Sequence, residues 1–332
     1  MNRIDELRAW LSPRLPAPDY TLEPASADAS FRRYFRAAIG DRTWIVMDAP
    51  PEHEDCRPFI HVAGLLKDAG LNAPRVLDQD LDRGFLLLTD LGHVTYLAAL
   101  RERPHDAKSL FDDALAALVR WQLSSKAGVL PPYDDALLRR ELGLFPEWYL
   151  GRHLSLDLGE SDRKAISEVF DALVTQALSQ PKVFVHRDYM PRNLMVTSPN
   201  PGILDFQDAV HGPLTYDVAS LFRDAFISWE EPQVLDGTIR YWERARRAGL
   251  PVAEDFAEFY RDVEWMGMQR HLKVLGIFAR LRYRDGKTGY LEDTPRFLKY
   301  VRATAERYGE LQGLVPLLDR IEERAPQTGF SF

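Results

Sequence analysis

Three oxygen-bearing side chains stand close together in the sequence His186-Arg187-Asp188-Tyr189-Met190-Pro191-Arg192-Asn193 and the Ile203-Leu204-Asp205-Phe206 that follows. Asp188 is a carboxylate that could accept a proton from a hydroxyl. Asn193 supplies a carboxamide oxygen, and Asp205 a second carboxylate at the end of an apolar run. Transfer of a phosphoryl group from a metal–nucleotide needs such a set: a group to orient the attacking hydroxyl, and hard oxygen ligands to hold Mg²⁺ against the phosphates. A lone His-x-Asp is weak evidence. The His-x-Asp-x-x-x-x-Asn spacing with a downstream hydrophobic-Asp-Phe is specific.

These residues need elements to carry them. Val183–Val185 and Leu194–Val196 are β-branched and apolar, and read as short strands. Pro191 excludes a regular helix between them, so a rigid loop is expected to carry Asp188 and Asn193. Pro201-Gly202 marks a turn into a third short strand, Gly202–Leu204, ending at Asp205. All three side chains are thereby expected at one end of a small sheet.

At these residues the chain resembles a family. His186–Asn193 is similar to the catalytic loop of protein-kinase-like phosphotransferases, and Asp205 takes the place of their metal-binding Asp. The hydrophobic-Asp-Phe form, without a long activation segment ending in Ala-Pro-Glu, resembles the aminoglycoside phosphotransferase and choline kinase branch. Ser26–Arg36, Met47–Pro51, Asp55–Pro58 and Leu144–Trp148 are similar to the bacterial anomeric kinases of N-acetylmuramate and N-acetylglucosamine. The resemblance implies an α+β, protein-kinase-like two-lobed fold, with a small N-terminal β-sheet lobe and a larger, mostly helical C-terminal lobe. It implies ATP as phosphoryl donor, Mg²⁺ held by Asn193 and Asp205, Asp188 as base, and an α-1-phosphate product for cell-wall recycling. His186 and Asp217 are expected to support the loop. An aminoglycoside, choline-like or other small hydroxyl acceptor is the alternative, and a nucleotide-binding pseudokinase scaffold is another.

The nucleotide end departs from the protein-kinase pattern. There is no Gly-x-Gly-x-x-Gly; the corresponding turn is Ser26-Ala27-Asp28-Ala29-Ser30. Small residues there let backbone N–H groups approach phosphate, making Ser26, Ala29 and Ser30 candidate nucleotide contacts. Ile45-Val46-Met47-Asp48 stands where a strand lysine is usual, so another cation must face the phosphates. Arg32 and Arg33 are the first candidates and Arg36 the third. Strand alternation puts Arg33 on one face and Arg32 with Arg36 on the other, so not all can serve. Leu88, closing an apolar strand, is a further candidate for the nucleotide site. For the acceptor, Arg187 and Arg192 flank the base and suit a carboxylate or phosphoryl group. Asp208, Glu147 and Trp148 are further candidates, the last two on a helix that also bears Glu141 and Tyr149.

The chain's 332 residues allow two lobes with a real core, divided here as 1–90 and 91–332. A net charge of −8 argues against a nucleic-acid surface. Cys56 is the single cysteine, so no internal disulfide can form. No apolar run is long enough to span a membrane, and the charged N-terminus is unlike a secretory signal. A cytoplasmic monomer is expected. In the first lobe the pattern predicts a leading helix through Ile4, Leu7, Leu11 and Leu15, strands at Phe31–Ile39, Thr43–Asp48 and Gly84–Leu88, and a helix at Glu54–Ala69. Beyond it, helices are predicted at Ala107–Ser124, Asp134–Arg152, Ser161–Leu178, Tyr216–Ile227, Gly237–Ala248, Ala253–Leu281, Pro295–Arg307 and Gly309–Arg324. Ligands in such folds sit in the cleft between lobes.

Overall fold

The computed structural model describes residues 2–26, 31–224 and 226–324. Its contacts divide the chain into two compact units. One holds the residues up to Trp121 together with Pro191–Ala209; the other holds Gln122–Met190 and the residues from Val210 onward. The sequence reading gave the first unit only the first 90 residues. By contact it also takes helices beyond that point and the segment carrying Asn193 and Asp205.

The first unit is built on a five-stranded antiparallel sheet: β1 (Thr21–Ser26), β2 (Arg33–Ile39), β3 (Arg42–Asp48), β4 (Val76–Asp80) and β5 (Phe85–Thr89), in the order β1-β2-β3-β5-β4. Phe85, Leu86, Leu87 and Leu88 are all buried, the unbroken apolar run of a strand covered on both faces. Helix α1 (Arg3–Leu11) sets Leu7, Trp10 and Leu11 into a core with Ala37, Val46, Phe85 and Leu87. The edge strands β1 and β4 escape a pattern reading for one reason. Thr-Leu-Glu-Pro-Ala-Ser and Val-Leu-Asp-Gln-Asp carry the Pro and charges that keep edges from pairing further.

At the end of β3, Asp48 is fully buried. It accepts from Arg3 Nε (2.7 Å) and from Arg33 Nε (3.0 Å). The carboxylate thus ties α1 to the sheet where a strand lysine would otherwise stand. Asp48→Ala leaves two cations without their anion. The expected loss is about 2–3 kcal/mol, less than for a wholly buried pair because half-exposed Arg33 can rehydrate. Urea unfolding of the variant measures it, and an unchanged midpoint refutes the clamp.

Helices α2 (Arg57–Asp68), α3 (Tyr96–Glu102) and α4 (Ala107–Leu123) complete this part of the chain. Phe59 of α2 packs on Phe206 at 4.7 Å between ring centres. Thr95 caps α3, its side chain accepting from the Ala98 N–H. The strands Leu194–Met195 and Gly202–Ile203 form a two-stranded ribbon. A Cβ on Gly202 would lie 3.0 Å from Leu91 and 3.1 Å from Met195, so a larger residue here would make those side chains give way.

The expected single small sheet is not formed. Lys182–Val185 pairs instead with Val210–Pro213, in the second unit. That partner, Val-His-Gly-Pro, reads as a loop from its Gly and Pro, and only pairing makes it a strand.

The second unit is helical: α5 (Asp135–Leu144), α6 (Glu160–Ser179), α7 (Tyr216–Phe222), α8 (Glu231–Arg247), α9 (Phe256–Tyr283), α10 (Thr294–Arg307) and α11 (Val315–Arg324). The single helix expected over Asp134–Arg152 changes at Pro146, whose missing N–H breaks the α-ladder. Phe145–His153 continues as a π-helical segment. Helix α9, 28 residues long, is the central element and is buried almost throughout Val263–Gly276. A Cβ on Gly276 would meet the Leu144 backbone at 2.4 Å, so glycine permits this close crossing with the end of α5. No described helix is long and apolar enough to cross a membrane.

Candidate active site

The loop that carries Asp188 is held from below. Asp217, in the first turn of α7 and fully buried, accepts the backbone N–H of His186 at 2.7 Å and of Arg187 at 3.0 Å. Arg187 sits at φ 75°, a left-handed conformation costly for a residue with a Cβ. The two bonds to Asp217 stabilise that turn. The Asp188 N–H donates to Nδ1 of buried His186 at 3.3 Å, which gives the histidine the supporting place expected of it.

Burial pushes Asp217 up to about 7, against the two N–H donors that favour its charge. Its folded value lies above its unfolded one, so its stabilising contribution is complete at low pH. That contribution is lost as pH rises from about 4 through about 7, by on the order of 4 kcal/mol. Urea unfolding at pH 5 and pH 8 checks this. The stability of the wild type relative to Asp217→Asn should fall between the two, and a constant difference contradicts it.

Asp188 lies among cations. Arg270 Nη2 is 3.9 Å from its Oδ1. Burial opposes its ionisation, but Lys273, Arg270 and Arg187 outweigh that and hold the carboxyl below its usual range. Behind it runs a buried network. Arg187 pairs with Glu141, Lys273 Nζ lies 3.7 Å from Glu141 and donates to the Tyr216 hydroxyl at 2.6 Å, and Tyr133 donates to Glu141. Burial also opposes ionisation of Glu141, yet Lys273 and Arg187 keep it low. Arg187, expected at the acceptor, therefore has its guanidinium tied to Glu141.

In the first unit a second group forms. The Leu204 N–H donates to the Asn193 carbonyl at 2.9 Å, placing the two segments side by side. Asn193 Nδ2 is 3.3 Å from Asp205 Oδ2, and Asp205 adopts φ 60°, a left-handed turn that Asp tolerates better than most residues. Arg32 Nη2 lies 3.8 Å from Asp205 Oδ1. Gln207 Nε2 donates to Asp205 Oδ1 at 3.0 Å and to exposed Asp208 at 3.3 Å. A carboxamide and a carboxylate so close form a hard-oxygen set that suits Mg²⁺. Among the described residues no cluster of three or more His, Cys, Asp or Glu could cage a metal alone. An ion here would share its coordination with phosphate and water, the usual mode for Mg²⁺.

The other expected residues are scattered. Arg33 is committed to Asp48, on the face of α1 and Phe35. Arg36 grips Asp90 through Nε (2.6 Å) and Nη2 (3.1 Å). Of the three arginines, Arg32 is the one beside Asp205. Leu88 is buried on β5, paired with Ile45. Ser26 ends β1 opposite Tyr34, while Ala29 and Ser30 lie outside the described residues. Arg192 is half-buried in the turn Pro191–Asn193. Glu147 is exposed and Trp148 half-buried on the π-helical segment. Glu141, not Glu147, joins the network behind Asp188. Arg270, Lys273 and Gln207 were not singled out by the sequence. The signal for the first two was present: Gln269-Arg270-His271-Leu272-Lys273 puts polar groups where a long helix would otherwise be core.

Residues 21–256 match the model of a phosphotransferase enzyme family. An N-acetylmuramate/N-acetylglucosamine kinase from Pseudomonas aeruginosa is 54% identical over 97% of this chain and 98% of its own length. A kinase of the same name from Neisseria meningitidis serogroup B is 50% identical over the full length of both. A choline kinase from Streptococcus pneumoniae superposes with a TM-score of 0.62 at 13% identity, covering 91% of this chain and all of that one. The GDP complex of aminoglycoside 2'-phosphotransferase-IIIa does so at 0.62 and 16%, covering 93% and 100%. The small antiparallel sheet followed by a helical remainder is the kinase-like α+β architecture these structures share. The chain belongs to the phosphotransferase enzyme family and is an ATP-dependent kinase.

Proposed function

We propose that this kinase phosphorylates the anomeric hydroxyl of N-acetylmuramate and N-acetylglucosamine, giving the α-1-phosphates in peptidoglycan recycling. The observation that carries the reading is identity of 54% and 50%, essentially end to end, with kinases bearing those two sugars in their names. Asp188 accepts the sugar hydroxyl's proton as the phosphoryl group arrives. Asn193 and Asp205 hold Mg²⁺, which neutralises the nucleotide's phosphates when bound. Residues 1–90 form the nucleotide lobe, with Ser26, Ala29, Ser30 and Leu88 at the nucleotide, and 91–332 the catalytic and acceptor lobe. Arg192, Asp208, Glu147 and Trp148 remain the acceptor candidates from sequence. The enzyme works in the cytoplasm as a monomer.

The test is product analysis. Incubation with MgATP and each sugar should yield one new phosphorus resonance, lost on mild acid treatment as an anomeric phosphate is. An acid-stable phosphate ester, or no turnover with either sugar, refutes the assignment.

Arg32 replaces the missing strand lysine in this reading, because it is the candidate cation near the metal carboxylate. Arg32→Ala should raise KM for ATP on the order of 10-fold, the worth of one charge-assisted contact. Arg33→Ala should leave KM unchanged and lower stability through Asp48. Steady-state kinetics with urea unfolding of both variants separates them, and the reverse pattern removes Arg32 from the role.

A further inference from the structure

The Arg270 guanidinium is almost entirely buried, 2% exposed, on the most enclosed stretch of α9. Its Nε and Nη1 meet no acceptor among the described residues. Among the described residues its Nη2 meets the Met190 sulfur, a weak acceptor, at 3.7 Å, and Asp188 Oδ1 at 3.9 Å, an ion-pair distance too long for a hydrogen bond. The other two cations near Asp188 are provided for. Arg187 pairs with Glu141, and Lys273, one turn along α9, has Glu141 and Tyr216. A buried guanidinium whose nearest described anion lies 3.9 Å away, with two of its nitrogens unmet, is costly, and an apolar side chain of similar volume would pack there at less expense. Its position beside an Asp188 that is 36% exposed places it next to whatever reaches that carboxylate.

We propose that Arg270 is a specificity-determining residue whose guanidinium binds the carboxylate of an acidic acceptor sugar beside Asp188. This rests on the acceptor proposed above, since N-acetylmuramate carries a lactyl carboxylate and N-acetylglucosamine does not. The planar fork of an Arg matches two carboxylate oxygens, which a Lys at the same position would not. The same nitrogens could meet a transferred phosphoryl group, and the acceptors separate the two sources: the carboxylate belongs to one sugar, the phosphoryl group to both reactions.

The experiment compares N-acetylmuramate, its lactyl carboxamide and N-acetylglucosamine as acceptors for wild type, Arg270→Met and Arg270→Lys. Wild type should favour the acid over its amide by about 30-fold in kcat/KM, carried by KM. In Arg270→Met the preference for acid over amide should collapse to about 3-fold or less, over and above any loss that all three acceptors share through the altered surroundings of Asp188; Arg270→Lys should fall between. An equal loss on all three acceptors overturns the assignment and gives the guanidinium to the phosphoryl group or the fold. Equal use of acid and amide by wild type overturns it without any variant, which decides the matter should Arg270→Met not fold. If wild type turns over none of the three, the sugar assignment itself has failed. Calorimetric binding of acid and amide to wild type then still decides on Arg270: acid-selective binding supports its role, and equal binding or none overturns it.

Discussion

Asp188→Asn is expected to lower kcat about 1,000-fold while leaving KM for ATP within a few-fold of wild type. The substitution keeps the shape of the side chain and removes its ability to take a proton. General base catalysis supplies 10²–10⁴-fold in such reactions, and orientation of the hydroxyl by Asn retains a part of it. The surroundings sharpen the expectation. Lys273, Arg270 and Arg187 hold Asp188 ionised below the usual carboxylate range. Its depressed folded value stabilises the fold above the ordinary carboxylate pKa, a contribution lost only as pH falls through that lowered value. Asp188 is therefore ionised throughout the neutral range, and as the proposed base it should give no acid limb of kcat/KM between pH 5 and 7. Steady-state kinetics of wild type and variant over that range checks both points. Unchanged turnover in the variant removes Asp188 from the role of base.

Asp205→Ala should abolish activity at millimolar Mg²⁺. Three effects add. The metal loses a carboxylate ligand, Arg32 and Gln207 lose their acceptor, and Ala is placed at φ 60°, which costs about 1 kcal/mol or more for a residue unable to bond locally. Asp205→Asn separates the metal from the backbone, because Asn tolerates the left-handed turn and keeps one ligand oxygen. It should fold as wild type, lose on the order of 100-fold in kcat/KM, and recover part of that with raised Mg²⁺ or with Mn²⁺. Titration of activity against metal concentration for both variants is the measurement. Full activity of either at ordinary Mg²⁺ rules out Asp205 as a ligand.

The kinase-like α+β class and the existence of most long elements were legible because the apolar period of a helix or central strand is written locally. The leading helix, β2, β3, β5, α2, α4, α6 and α8–α10 all fall on predicted segments, shifted at their ends. Elements of weak local signal were not legible: edge strands marked by charge and Pro, the Val210–Pro213 strand formed only by pairing, and the short α3. The predicted helices Tyr216–Ile227 and Gly309–Arg324 are shorter in the structure. The first ends at Phe222, and the second begins as the 3₁₀ turn Gly309–Leu314 ahead of Pro316.

By itself the sequence determined which residue types could do the chemistry and at what spacing. An eight-residue loop and a carboxylate twelve residues beyond it are local objects, and Asn193 and Asp205 meet accordingly. Only the tertiary structure decided which cations serve which carboxylates. Alternation separated Arg33 from Arg32, but the register of β2 on β3, which sets Arg33 opposite Asp48, committed Arg33 to that carboxylate and left Arg32 at Asp205. Glu141 reaches Arg187 across 46 residues, and Arg270 and Lys273 come from a helix whose length alone marks it as core. Periodicity records how far a side chain is removed from water. Which distant charge it meets there depends on how helices cross, and that is settled by the shapes of many apolar side chains together.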